Sequence, residues 1–110
     1  MSKAKGARLE RRTRAWYEEA GFLVVRAAGS HGPLDLVCLH PYKLEAVQVK
    51  CNRWPGRTER RQLERLDRAM PRCRQCGDKL GEVTEVRWDD YAREPQMRAF
   101  RGRRWVRLDR

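Results

Sequence analysis

Apolar residues in this chain gather into short blocks separated by glycine, proline and charged turns, and two spacings recur. From Ala7 to Ala20 the positions Leu9, Thr13, Trp16, Tyr17 and Ala20 fall on one helical stripe with Gly21 as a stop, which predicts a first helix. Phe22 to Ala27 predicts a strand. Leu34 to Leu39 and Leu44 to Lys50 are short runs rich in valine and leucine, and His40-Pro41-Tyr42-Lys43 between them carries the breaker of a four-residue hairpin loop. They read as two antiparallel strands. Thr58 to Met70 predicts a second helix, with Thr58 as N-cap, Leu63, Leu66 and Met70 on one stripe, and Pro71 as stop. Thr84, Val86 and Trp88 then alternate in a fourth strand over 82–88. Phe100 to Trp105 reads as a hairpin turn with Gly102 at its first corner, ahead of a last strand over 105–108. Trp88, Phe100 and Trp105 are expected in a core or interface. Met1 to Gly6 is a basic, small-residue tail, expected to be mobile in the free protein.

The hairpin register has a chemical consequence. With Leu39 facing Leu44, paired positions keep a constant sum, so Asp35 stands opposite Gln48 with Cβ atoms about 5 Å apart. Lys50 lies two residues on, and the pleat puts it on the same face as Gln48. Glu45, three residues before Gln48, points to the other face. A carboxylate and an amide oxygen side by side can hold a hard divalent cation, and an ammonium beside them can orient a water. The plainer reading is that Asp35 caps a turn and that Gln48 and Lys50 are the polar end of a strand. Gly29, Gly32 and Pro33, which let the backbone bend close to a ligand, favour the site.

Asp35 followed by Gln48-x-Lys50 resembles the metal-site core of the PD-(D/E)xK nuclease superfamily. Lys5-Gly6-Ala7-Arg8-Leu9-Glu10-Arg11, then Gly21 through Ser30, then Asp35-Leu36-Val37 resemble the archaeal-type Holliday junction resolvases, continuously over about the first half of the chain. The resemblance implies a restriction-endonuclease-like α/β fold, a central mixed sheet flanked by helices. It implies that Glu10, Asp35 and Gln48 bind one or two Mg²⁺ ions, with Mn²⁺ able to substitute, and that these three with Lys50 form the catalytic set. It also implies a phosphate contact for Ser30; Lys5 and Arg11 are expected to contact DNA, and Arg26, near the end of its strand, is expected to contact the scissile phosphate or else to be a solvated strand end. The family usually has glutamate where this chain has Gln48, and Pro-Asp where it has Leu34-Asp35. Glutamine keeps a carbonyl oxygen but loses a charge, so the metal is expected to rely more on Asp35 and Glu10. Without the resemblance, Glu10 reads as an exposed residue paired along its helix.

Composition narrows the partners. A chain of 110 residues is expected to form one domain over 1–110. Its formal net charge of +11 calls for a polyanion. No run approaches the roughly 20 apolar residues of a membrane span, and no apolar signal segment opens the chain, so an intracellular, soluble (cytoplasmic) protein without a membrane partner is expected. Arg53 and Arg57 flank Trp54 in a loop where an indole can stack on a base or pack under the next helix. Arg57, Arg60, Arg61, Arg65 and Arg68 outnumber Glu59, Glu64 and Asp67 around the second helix, which tilts a mixed ionic face toward duplex contact; Arg53, Arg57 and Arg61 are taken as DNA-binding. His31 is a weaker DNA-contact candidate.

Cys73-Arg-Gln-Cys76 has the spacing of half a zinc site. Cys38 faces position 45, and Cys51 lies six residues beyond that, about 20 Å away at strand rise. Those two cannot share an ion or a disulfide, which needs Cα atoms within about 7 Å. Free thiols are the simplest reading for Cys73 and Cys76, ahead of a redox pair or a site shared across a dimer.

The sequence thus points to a Mg²⁺-dependent, structure-selective DNA endonuclease that resolves four-way junctions by paired symmetric nicks. A two-fold branched substrate suits a homodimer. Two readings stand beside it: another nicking or transposon-end nuclease of the superfamily, and a branched-DNA binding protein whose site has degenerated at Gln48.

Overall fold

The computed structural model describes residues 3–27 and 32–108. Helix α1 (Lys3–Glu19) leads into strands β1 (Leu23–Arg26), β2 (Leu36–His40) and β3 (Lys43–Cys51). Helix α2 (Arg57–Arg68) follows, then β4 (Gly81–Trp88), β5 (Gln96–Arg101) and β6 (Arg104–Leu108). The six strands form one sheet in chain order. Every neighbouring pair is antiparallel except β3 and β4. A parallel pair cannot be closed by a hairpin, and α2 supplies the crossover it needs. The expected α/β class, a mixed sheet flanked by helices, is the one observed.

Strands β3 and β4 run through the middle and are buried on both faces. Leu9 and Tyr17 of α1 pack on one face against Val24, Leu36, Cys38, Val47, Val49, Val86, Trp88 and Met97. Leu63 and Met70 pack on the other with Ala46 and Val83. Burying each such side chain stabilises the fold by roughly 1.5–3 kcal/mol. Thr13 and Glu45, polar groups caught between the layers, are paired. Thr13 Oγ1 donates to the Leu9 carbonyl at 2.7 Å and accepts from Trp88 Nε1 at 2.8 Å. Glu45, fully buried, accepts from the Tyr17 hydroxyl and from Thr84 Oγ1, both at 2.9 Å.

Several boundaries differ from expectation for local physical reasons. Helix α1 begins at Lys3, so Lys3–Gly6 is helical rather than a tail; Lys5 Nζ ion-pairs with Asp90 at 2.7 Å and ties the first turn to the loop after β4. Met1 and Ser2 lie outside the described residues. Ala20 falls beyond the helix and is exposed. The β2–β3 loop is a two-residue turn, because His40 and Lys43 pair and leave only Pro41 and Tyr42 to reverse the chain. Pro41 suits that corner, where its fixed φ and missing N–H cost nothing. Gly56, not Thr58, caps α2: its N–H is met by Glu59 Oε1 at 3.4 Å, and Thr58 lies inside the first turn. Strand β5 was not foreseen as a separate element, although its turn was. Gly102 and Arg103 take φ of 58° and 67°, the paired left-handed conformation of a type I′ hairpin.

The Arg98 guanidinium stacks on Trp54, 4.1 Å from its ring centroid. Arg60 leaves the ionic surface of α2 to pair with Glu85. None of the four cysteines forms a disulfide with the described residues, and Cys38 is buried opposite Glu45. No helix among the described residues is long and apolar enough to cross a membrane.

Candidate active site

The site grows from the expected register. Leu39 pairs with Leu44 and Leu36 with Val47, so position 35 comes level with position 48. Asp35 sits just ahead of β2, where its N–H donates to the Val47 carbonyl at 2.9 Å. Its side chain folds onto the same strand: Oδ2 accepts from the Val49 N–H at 2.8 Å, and Oδ1 makes no hydrogen bond to the described residues.

Gln48 is 3% exposed. Its Nε2 donates to Glu59 Oε2 at 3.0 Å, while its Oε1 is buried with no partner among the described residues. An amide carbonyl stranded in this way costs about 1–3 kcal/mol. Such an atom in a native fold calls for an explanation, a bound water or ion among them. Lys50, on the same face two residues along, places Nζ 2.5 Å from the same Glu59 oxygen. Glu45 is on the opposite face, as alternation required.

Glu10 arrives from α1, partly buried, with Arg26 Nη2 at 3.8 Å from its Oε2. Sequence spacing could not relate Glu10 to Asp35; packing of α1 on the sheet brings the Glu10 charge within electrostatic range of Asp35. The electrostatics of Asp35 record this convergence. Its carboxyl is raised to about 6: burial is the largest cause and the Glu10 and Glu59 charges add to it, while the Val49 N–H and the Lys50 ammonium oppose it. Glu59 is held below the usual carboxylate range: burial opposes this, and Lys50, Gly56 and Gln48 outweigh it.

Sequence reasoning missed Glu59, which was placed on a solvated face of α2. The only signal was its position three residues after the capping glycine, where a glutamate can reach back to the cap. That α2 starts just beyond the end of β3, and so delivers a first-turn side chain to Gln48 and Lys50, is a matter of tertiary packing.

The expected DNA contacts fall on separate clefts. Lys5, Lys50 and Arg53 line one of about 480 Å³ with Cys51 and Asn52. Glu10, Arg11 and Arg26 line another of about 240 Å³. Arg57 and Arg61 line a third beside Trp105. Arg53 is drawn toward Glu59, with Nη1 at 3.7 Å. Ser30 and His31, together with Ala28 and Gly29, lie outside the described residues.

A hard cation prefers several oxygen donors. The Gln48 Oε1, unpartnered among the described residues, and the Asp35 carboxylate fit that requirement, and a cation would offset the burial and the neighbouring charges that raise Asp35. Among the described residues, no three His, Cys, Asp or Glu side chains stand close enough to hold an ion by themselves.

A search of curated protein sequences finds no match. Among solved structures the chain is similar to Archaeoglobus fulgidus Hjc, described as a Holliday junction resolvase from an archaeal hyperthermophile. The TM-score is 0.63 at 20% identity over 93% of this chain and 85% of that one, a likeness of fold. A sequence model described as archaeal Holliday junction resolvase (Hjc) matches residues 1–66. With more than half of its length matched, including Glu10, Asp35, Gln48 and Lys50, this chain belongs to the archaeal Holliday junction resolvase (Hjc) family.

Proposed function

We propose that the protein is a divalent-metal-dependent endonuclease that cuts four-way DNA junctions by paired nicks. One observation carries the reading: a buried, partnerless amide oxygen on Gln48, level with a carboxylate that folds against the same strand, in a chain of this family. Asp35 and Gln48 would hold Mg²⁺ or Mn²⁺, with Glu10 close enough to add charge or orient a coordinated water. A bound ion of this kind neutralises charge on the phosphate and lowers the pKa of a water. Lys50 positions an ammonium beside the scissile phosphate, and Arg26 steadies Glu10 from the rim. Lys5, Arg11, Arg53, Arg57 and Arg61 would contact backbone phosphates, so recognition is of branch shape rather than base sequence. Ser30 is proposed to contact a phosphate on the strength of the resemblance.

Paired cuts need two sites, and we take the active form to be a homodimer. Leu23, Val25 and Leu39 face away from α1 and stay exposed at the β1 edge, a surface suited to self-association.

The test is cleavage of an intact four-way junction, against linear and nicked duplexes, in Mg²⁺, in Mn²⁺ and in EDTA. Symmetric cuts that need metal and vanish in Asp35→Asn, while junction affinity persists, are the expected result. The absence of a three-acid cluster among the described residues favours one rival, a binding-only protein. Tight junction binding with no cleavage in either metal would establish that rival instead.

A further inference from the structure

Glu59 Oε2 receives two donors from β3, Gln48 Nε2 at 3.0 Å and Lys50 Nζ at 2.5 Å. An ionised carboxylate only accepts hydrogen bonds, so the amide facing it must present its NH₂ group. Gln48 is thereby prevented from turning over, and its carbonyl oxygen becomes the atom left for a ligand. A glutamine is ordinarily ambiguous between its two orientations; here the partner decides. Residues 48 and 59 also carry one negative charge between them, balanced by Lys50. A glutamate at 48 would instead set two carboxylates against each other in a half-buried position. That differs from the simplest sequence-based expectation, in which Gln48→Glu merely restores a stronger metal ligand.

We propose that Glu59 is a positioning residue of the nuclease site: it fixes the Gln48 amide with its carbonyl oxygen presented to the divalent cation, and supplies from α2 the charge that β3 lacks. This rests on the reading of Asp35 and Gln48 as a cation site. The pair at 48 and 59 is then exchangeable as a unit but not one residue at a time.

The experiment compares four full-length forms: wild type, Gln48→Glu, Glu59→Gln, and Gln48→Glu/Glu59→Gln. Mn²⁺ alone is titrated without DNA and followed by its paramagnetic resonance signal, and thermal unfolding is recorded in EDTA. Glu59→Gln should weaken Mn²⁺ binding by roughly 10-fold, the scale seen when a partner that orients a metal ligand is removed. Gln48→Glu should unfold at lower temperature in EDTA and recover when Mn²⁺ is added. The double form should regain wild-type Mn²⁺ affinity and unfolding temperature. If Glu59→Gln binds Mn²⁺ as wild type does, or if the two substitutions simply add, the proposal is overturned while the cation site stands. If wild type takes up no Mn²⁺, the cation site itself is lost and the role of Glu59 goes with it.

Discussion

The Arg60 guanidinium grips the fully buried Glu85 carboxylate through two parallel hydrogen bonds, Nε to Oε2 and Nη2 to Oε1, each 2.9 Å long. Burial raises the Glu85 pKa although Arg60 and Arg98 pull it down, while the bond to Glu85 raises the Arg60 pKa. The pair joins α2 to β4 across the layer that also holds Glu59. Removing the arginine leaves a buried carboxylate without its partner. Arg60→Ala is expected to lower stability by about 3 kcal/mol in urea unfolding. A change within 0.5 kcal/mol, the range of ordinary surface substitutions, would mean that the pair is solvated in solution.

Asp35 makes the metal-free protein pH-sensitive. Its folded-state pKa of about 6 lies above the ordinary 3.8, so the folded chain holds the proton more tightly than the unfolded one. The stability this confers is present below about pH 4 and disappears as pH rises through about 6. In EDTA at pH 8, Asp35→Asn should therefore be more stable than wild type, by roughly 1 kcal/mol after discounting for partial exposure. The difference between the two should shrink toward pH 4. A variant less stable than wild type at pH 8 would contradict the burial and charge assigned to this carboxyl.

Gly81 sits where β4 meets β3, paired with Leu44. A Cβ there would lie 2.7 Å from the Leu44 carbonyl oxygen and 2.8 Å from Met70 Sδ. The methionine can move aside, but the main-chain oxygen is held in the ladder. Gly81→Ala should cost about 1–3 kcal/mol of overpacking, read by thermal unfolding. An unchanged melting temperature would show the β3–β4 junction to be looser than described.

Arg57 and Arg61 are exposed and carry no ion pair with the described residues. If they contact phosphates, each alanine substitution should weaken junction binding alike across sequences and reduce the salt slope by about 1. Fluorescence anisotropy in EDTA over a range of salt concentrations measures this without cleavage. A slope equal to that of wild type would remove these arginines from the interface.

The linear pattern alone determined the hairpin register, because a two-residue pleat and a fixed sum of positions leave little freedom once Leu39 faces Leu44. From it followed the meeting of positions 35 and 48, the shared face of Gln48 and Lys50, and the exclusion of Glu45. The helices were legible in their apolar stripes, though Thr58 was mistaken for a cap because a hydroxyl residue is the commoner signal than Gly56. Tertiary structure alone decided the rest. Glu10 and Glu59 come to Asp35 and Gln48 on helices from elsewhere in the chain, and helix-to-sheet distances depend on packing of Tyr17, Leu63 and Met70 rather than on any local period. Arg60 illustrates the same limit. On a helical wheel it looks like its charged neighbours; only the depth of Glu85 in the sheet makes it the partner of a buried acid, because desolvation is a property of the assembled layers and not of the residue.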